Sequence, residues 1–329
     1  MKLLSTVALA ALLTTTFAAR EADAEPKSWT AAKAVLPDNV TVLAGANLIS
    51  LRKTAAYQQL VPALIKKEPD ARQVFDIAKT TCAIDLHTAI EDATVAISDD
   101  EKGLVVVGLA TGIDQKKVVE CLDKLAVQMA KAKAPPAKTG LKAGAAKKKP
   151  APTPKVVTKT IGKITEYSIE GEPKKLYLAW LTPDVVAIST TVDDRALLEK
   201  LVSGKGVKGA MSGTVGKVNT SATLWLATTK QTPISQTGST MKSAFGTIDA
   251  SGGQVRFDIH AIMASAAEAK KFVDDATAML GVAKSQVPPQ FANIVDGLKL
   301  SAKGDDAMMK LDVTEKDLQS ILSLLMMSL

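Results

Sequence analysis

Aromatic side chains make up only 4% of this 329-residue chain, so alanine, valine and leucine must fill most of its interior and large aromatic anchors are scarce. Histidine is scarcer still. The two present, His87 and His260, have no second histidine or cysteine three or four positions away, the spacing that sets two metal ligands on one helical face. Gly-x-x-x-x-Gly-Lys-Ser/Thr, Gly-x-Gly-x-x-Gly before a helix, His-Glu-x-x-His and Gly-x-Ser-x-Gly are missing, and with them the readable signatures of nucleotide binding, zinc proteolysis and nucleophile-elbow hydrolysis. The expectation is a non-enzymatic chain with no catalytic, cofactor-binding or metal-binding residues and no cofactor.

Three weak matches do not change that reading. Ser239-Thr240-Met241-Lys242 fits the Ser-x-x-Lys pattern of penicillin-recognising enzymes, but no Ser-Asp-Asn occurs. The one Lys-Thr-Gly, at Lys138, lies upstream instead of downstream, and Ser50-Leu51-Arg52-Lys53 matches the same loose pattern. Cys82 and His87 are close enough in sequence to meet, yet a loop histidine explains His87 more simply. Asp99-Asp100 and Asp305-Asp306 read as turn acids, and His260 sits in an alternating strand, pointing with Asp258 away from Phe257 and Ile259.

Long apolar runs are absent except at the start. Lys2 precedes an apolar stretch from Leu3 to about Ala19, followed by Ala22-Asp23-Ala24, the small-x-small pattern that signal peptidase reads. We expect residues 1–24 to be a signal peptide cut between Ala24 and Glu25, leaving a periplasmic or extracellular chain. The next most apolar stretch, Leu318 to Leu329, has 12 residues, fewer than the roughly 20 a bilayer core asks for. No transmembrane span is expected in the mature chain. Cys82 and Cys121 are the only cysteines. In an oxidising compartment an even pair tends to bridge, and Cys121 shares an apolar helical face with Val118, Leu122, Leu125 and Met129. Two buried free thiols are the alternative.

The net charge of +7 is concentrated in one place. Between Lys131 and Lys155 lie eight lysines and no acid, and setting these aside leaves the rest at −1. Residues 130–155, with five prolines and no aromatic residue, cannot build a core and read as a disordered linker or long loop. No nucleic-acid partner is expected, and weak polyanion contact through Lys131 to Lys155 is the only charge-driven partner reading.

What remains is patterned as α+β. A strand at Val40–Leu48 is followed by helical segments, strands at Ala93–Ser98 and Leu104–Thr111, and a helix from Asp114. Strands near Lys163–Ile169, Lys175–Leu181 and Val185–Thr190 lead to a helix opened by Asp193-Asp194, where carboxylates suit a helix N-terminus. The order then restarts with strands at Ala222–Thr228, Ala244–Asp249 and Gln254–Ile262, a helix from Ser265, strands at Gly297–Lys303 and Met308–Val313, and a helix from Glu315. We read two similar modules, 25–205 and 206–329, each an antiparallel sheet covered on one face by helices, arising by tandem duplication. Trp180 and Trp225, with Tyr177, are expected in the core or sheet face, or else lining an apolar cleft between the modules.

The segments LPDNVTVLAGANLISLRKTAAYQQLVPAL, TTCAIDLHTAIEDATVAI and LKLSAKGDDAMMKLDVTEKDLQSILSLL resemble uncharacterised exported proteins of Gram-negative bacteria, over most of the mature chain. Such proteins read Cys-Gly-Ile-Asp where this chain has Cys82-Ala83-Ile84-Asp85. The resemblance implies export and no established activity. The functional expectation is a binding or scaffolding module of the envelope that engages a protein or an apolar molecule. A periplasmic carrier of a lipid or other apolar ligand is the alternative, and an enzyme of unrecognised type the third reading.

Overall fold

The structure, a computed structural model, describes residues 25–320 except 68, 133–155, 171–174, 190–191, 235–237 and 287–291. The expected signal peptide, most of the lysine-rich segment and the apolar end from residue 321 therefore lie outside the described residues. In chain order the elements are α1 (Lys27–Lys33), β1 (Val40–Asn47), α2 (Leu48–Leu51), α3 (Ala55–Lys67), α4 (Pro69–Cys82), α5 (Leu86–Ala89), β2 (Ile90–Ser98), β3 (Gly103–Leu109) and α6 (Gln115–Ala132). Next come β4 (Val156–Ile161), β5 (Ile164–Ile169), β6 (Lys175–Thr182), β7 (Val185–Ser189), α7 (Val192–Ser203) and α8 (Gly209–Val215). The last are β8 (Leu224–Thr228), β9 (Thr232–Ile234), β10 (Ser239–Ser251), β11 (Gln254–Met263), α9 (Ala266–Gln286), α10 (Ala292–Gly297), β12 (Lys299–Lys303) and β13 (Asp306–Thr314).

All the strands join one sheet, in the order β12-β13-β11-β10-β8-β1-β2-β3-β7-β6-β5-β4, with β9 hanging on β10. Each pairing is antiparallel. The order outward from the centre is strand, hairpin, hairpin on both sides: β1, β2-β3, β7-β6 one way and β8, β10-β11, β13-β12 the other. The first half alone adds the hairpin β4-β5 at its edge. The halves meet where β1 pairs with β8, from Val42 opposite Thr228 to Ala46 opposite Leu224. They are thus joined edge to edge by backbone hydrogen bonds, and the expected division into separate sheets does not appear.

Alternation along the strands divides side chains between two faces. On the front face α1, α7 and α8 pack over the first half and the seam. They bury Trp29, Leu36, Leu43, Val106, Tyr177, Leu198, Met211 and Trp225 in one cluster. Trp225 lies across Gly45, its register partner, and meets Trp29 edge-on at 5.2 Å. A Cβ on Gly45 would come within 2.1 Å of the indole nitrogen, so only glycine admits the ring there.

The start of α1 is fastened from a distance. Its N-cap, Pro26, has no side chain to offer, and the orphan amides of Lys27 and Ser28 instead donate to the buried Asp92 carboxylate at 3.2 and 2.7 Å. The Lys27 ammonium reaches Glu91 at 2.9 Å and Asp184 at 3.2 Å. A carboxylate at the positive end of a helix is favoured by the aligned peptide dipoles as well as by the hydrogen bonds.

On the back face α6 and α4 cover the first half and α9 covers the second. Cys82, ending α4, is bonded to Cys121 on α6, so the expected bridge is present. No helix among the described residues is long and apolar enough to cross a membrane.

Candidate functional site: an uncovered apolar sheet face

Between α6 and α9 no helix among the described residues lies over the back of the sheet, and its side chains are apolar. Following the register from β12 to β6, one row runs Leu300, Met309, Ile259, Gly246, Leu226, Ala44, Val95, Val105, Ile188, Leu178. The adjacent row, two residues along each strand, runs Leu311, Phe257, Ile248, Leu224, Ala46, Ala93, Val107, Val186, Trp180. Neither row holds a polar side chain. At its middle the first row is open to solvent, with Leu226 44% exposed and Val95 and Val105 exposed as well. Isolated apolar side chains on a surface are ordinary; a contiguous strip is not.

Three hollows adjoin this strip. Under α9, against β11, β13 and β12, is a cavity of about 510 Å³ whose described lining residues are all apolar, three of them methionines. Beside the seam a notch of about 170 Å³ sits over Gly246, between Leu224, Leu226, Ile248 and Ile259. Glycine is required at its floor, because a Cβ there would come within 2.7 Å of the Asp258 carbonyl. Under α6 and α4 is a third hollow of about 230 Å³, bounded by Ala78, Cys121, Leu122, Val107 and Leu178. Ile259 borders both the first hollow and the second.

The residues singled out in the sequence lie elsewhere. Tyr177 and Trp225 are both buried in the front-face cluster, while Trp180 belongs to the back-face row. The three therefore line no common cleft between modules, because the seam is a backbone pairing with no gap. Cys82 spends its sulfur on Cys121, which removes a Cys82–His87 site; His87 instead packs against Phe75 at 4.8 Å. Ser239 opens a strand rather than a helix, so Lys242 is not one helical turn away from it. The Lys242 ammonium donates to the Ala264 carbonyl at 3.0 Å. His260 does share a face with Asp258, at 3.2 Å, and gains Asp306 at 2.8 Å while stacking on Phe245 at 4.5 Å. Asp305-Asp306 and Asp99-Asp100 flank hairpin turns, as expected. Among the described residues no group of three or more His, Cys, Asp or Glu side chains is placed to hold a metal ion.

Apart from Tyr167, which burial in the back-face cluster and then Asp123 push up, the perturbed titrations mark ion pairs away from the back strip. Hydrogen bonding to Glu91, then Asp184, raises Lys27 above its ordinary value, and Asp184 is lowered first by Thr182 and then by Lys27. Glu166 is lowered by Lys175, whose own value rises in return. Asp85 is lowered by Lys79. Each is explained by a pairing that holds neighbouring elements together, so none needs a catalytic role.

No protein-family model matches the chain, and no curated protein sequence matches it. Two solved crystal forms of TP0453 are matched in the structural comparison. Form III is 9% identical, covering 88% of this chain and 97% of that chain with a TM-score of 0.46. Form I is also 9% identical, covering 89% and 97% with a TM-score of 0.45. Likeness at this level bears on neither site nor function.

Proposed function

We propose that the chain is a non-enzymatic binding module of the envelope that holds an elongated apolar molecule against the uncovered back of its sheet. The observation that carries this reading is the ten-strand apolar row, exposed at its centre and running into hollows at both ends. Water gains nothing from contact with such a strip, and each methylene removed from water against it contributes about 0.8 kcal/mol. Deep hollows suit a slender molecule that can enter them better than the broad, flat surface of a folded partner. Two modules related by tandem duplication account for the arrangement. The same sequence of strands on either side of an antiparallel central pair puts the equivalent helices, α6 and α9, on the same face with the strip between them.

The test uses the mature chain and 1-anilinonaphthalene-8-sulfonate, whose fluorescence rises on apolar surfaces, together with mass spectrometry of organic-soluble material carried through purification. Saturable dye binding, lost in Leu226→Glu and Val95→Glu with unchanged thermal unfolding, supports the reading. A wild-type chain that neither binds dye nor carries apolar material, but self-associates or captures another protein through the strip, overturns it in favour of scaffolding.

A further inference from the structure

The two covered ends of the strip are not equivalent, and the difference points to where a ligand's chain goes. Building on the apolar-ligand reading, we propose that the cavity under α9 is a blind tube for a single straight acyl chain, entered near Met279 and ended by Phe272. The first turn of α9 is pinned: Glu268 accepts the Thr240 amide at 2.7 Å, and Phe272 and Val273 pack on the buried Met263, Ala269 and Ala307. Side chains are more exposed toward the far end of the helix. Met279, which lines the cavity, is 62% exposed, and Val282 beyond it is equally open. The C-terminal end of the helix is held to α10 by the exposed ion pair Lys284–Asp296 at 2.8 Å. Such a pair contributes at most about 1 kcal/mol. On this proposal the tube closes where α9 is fixed and opens where α9 is loosely held.

Its lining identifies the guest. About 510 Å³ bounded by Leu, Ile, Val, Ala and Phe side chains with Met279, Met308 and Met309 offers no polar side chain among the described residues, so a head group stays outside. Unbranched methionines adjust to a flexible chain in several conformations, where a rigid ring system would call for fixed walls. The opposite hollow is less than half the volume and lies behind α4, which the Cys82–Cys121 bond ties to α6. The second half lacks such a clamp. Phe272 at the closed end then acts as a stop that sets the accepted chain length.

The experiment measures displacement of cis-parinaric acid from the purified mature chain by a homologous series of straight-chain fatty acids, and in a parallel arm by lysophospholipids of the same chain lengths. Phe272→Ala should shift the preferred chain to longer members, and Ala276→Trp, which fills the tube, should weaken binding by about tenfold or more, equal to ~1.4 kcal/mol. Met279→Glu changes an exposed rim residue, leaves folding untouched, and should weaken binding in the same direction. Displacement in only one arm names the acyl source and supports the proposal. A wild-type chain that binds the probe while all three variants keep its affinity and length preference overturns the tube and leaves the strip as the seat. A wild-type chain that binds no probe at all overturns both readings.

Discussion

The two halves of the sheet present the same strand order to their back-face helices, yet one end is locked and the other is ajar. In the first half α6 is bonded through Cys121 to α4, and the space beneath them shrinks to about 230 Å³. In the second half α9 has no helix behind it among the described residues, and about 510 Å³ lies under it. The comparison teaches that a shared topology fixes where a helix lies but not how closely it sits. Closeness is decided by what clamps it from outside, here a covalent bond and a second layer of helix.

The largest expected effect comes from removing that clamp. Cys82→Ser with Cys121→Ser should cost about 2–5 kcal/mol in denaturant unfolding, while leaving probe affinity at the α9 cavity unchanged. Loss of that affinity would mean that the halves do not act separately. The seam itself can be broken next. Gly45→Ala drives a methyl into the Trp225 indole and should cost about 1–3 kcal/mol, with the near-ultraviolet tryptophan signal reporting the displaced ring.

A gain is expected at Ala83, beside the bridge, where φ is +53°. Left-handed backbone strains a residue with a Cβ by about 1–2 kcal/mol. Ala83→Gly should stabilise the first half by up to about 1 kcal/mol after the entropy of the added glycine is counted, raising the unfolding midpoint.

The smallest effect is a pH dependence confined to the first half. Lys27 is raised above 10.5, so its contribution is complete below that value and is lost as pH climbs through the raised one. Asp184 is lowered below 3.8, so its share is complete above that value and is lost as pH falls through the lowered one. Protection factors at the amides of α1, which remove the intrinsic pH dependence of hydrogen exchange, should hold steady between these limits and fall outside them. The amides of α8, which no such ion cluster holds, should show no matching pattern.

Much of this architecture was legible before the structure. Hairpin strands around Gly252-Gly253, the amphipathic helix carrying Cys121 and the twice-repeated order all follow from alternation, turn residues and helical periodicity. What escaped was held by distant partners. α1 has seven residues and a proline at its N-cap, and its capping carboxylate is Asp92, 65 positions from Lys27. α8, with the sequence GAMSGTV, carries two glycines and is stabilised by burial of Met211 and Val215 instead of by propensity. The exposed strip was half legible. Its apolar residues show in every strand, but helices were expected over one face of each sheet, whereas they pack on both. Only the register lines the rows up, and only the positions of α6 and α9 leave them bare.

The pairing of β1 with β8 also governs how the chain must come together. Val42 and Thr228 are neighbours in space but are made far apart in time, since all of the first half and α7 and α8 separate them. A chain built from its N-terminus can complete β1, β2 and β3 while the outer border of β1 still has no strand to bond to. That border is a row of unsatisfied amides and carbonyls, competent to join any extended segment that arrives. Contacts of such long sequence separation slow folding, and they prolong the interval in which the half-built sheet can pair with the wrong neighbour. The same seam that makes one broad surface out of two modules is therefore the last place to close and the first place for assembly to go astray.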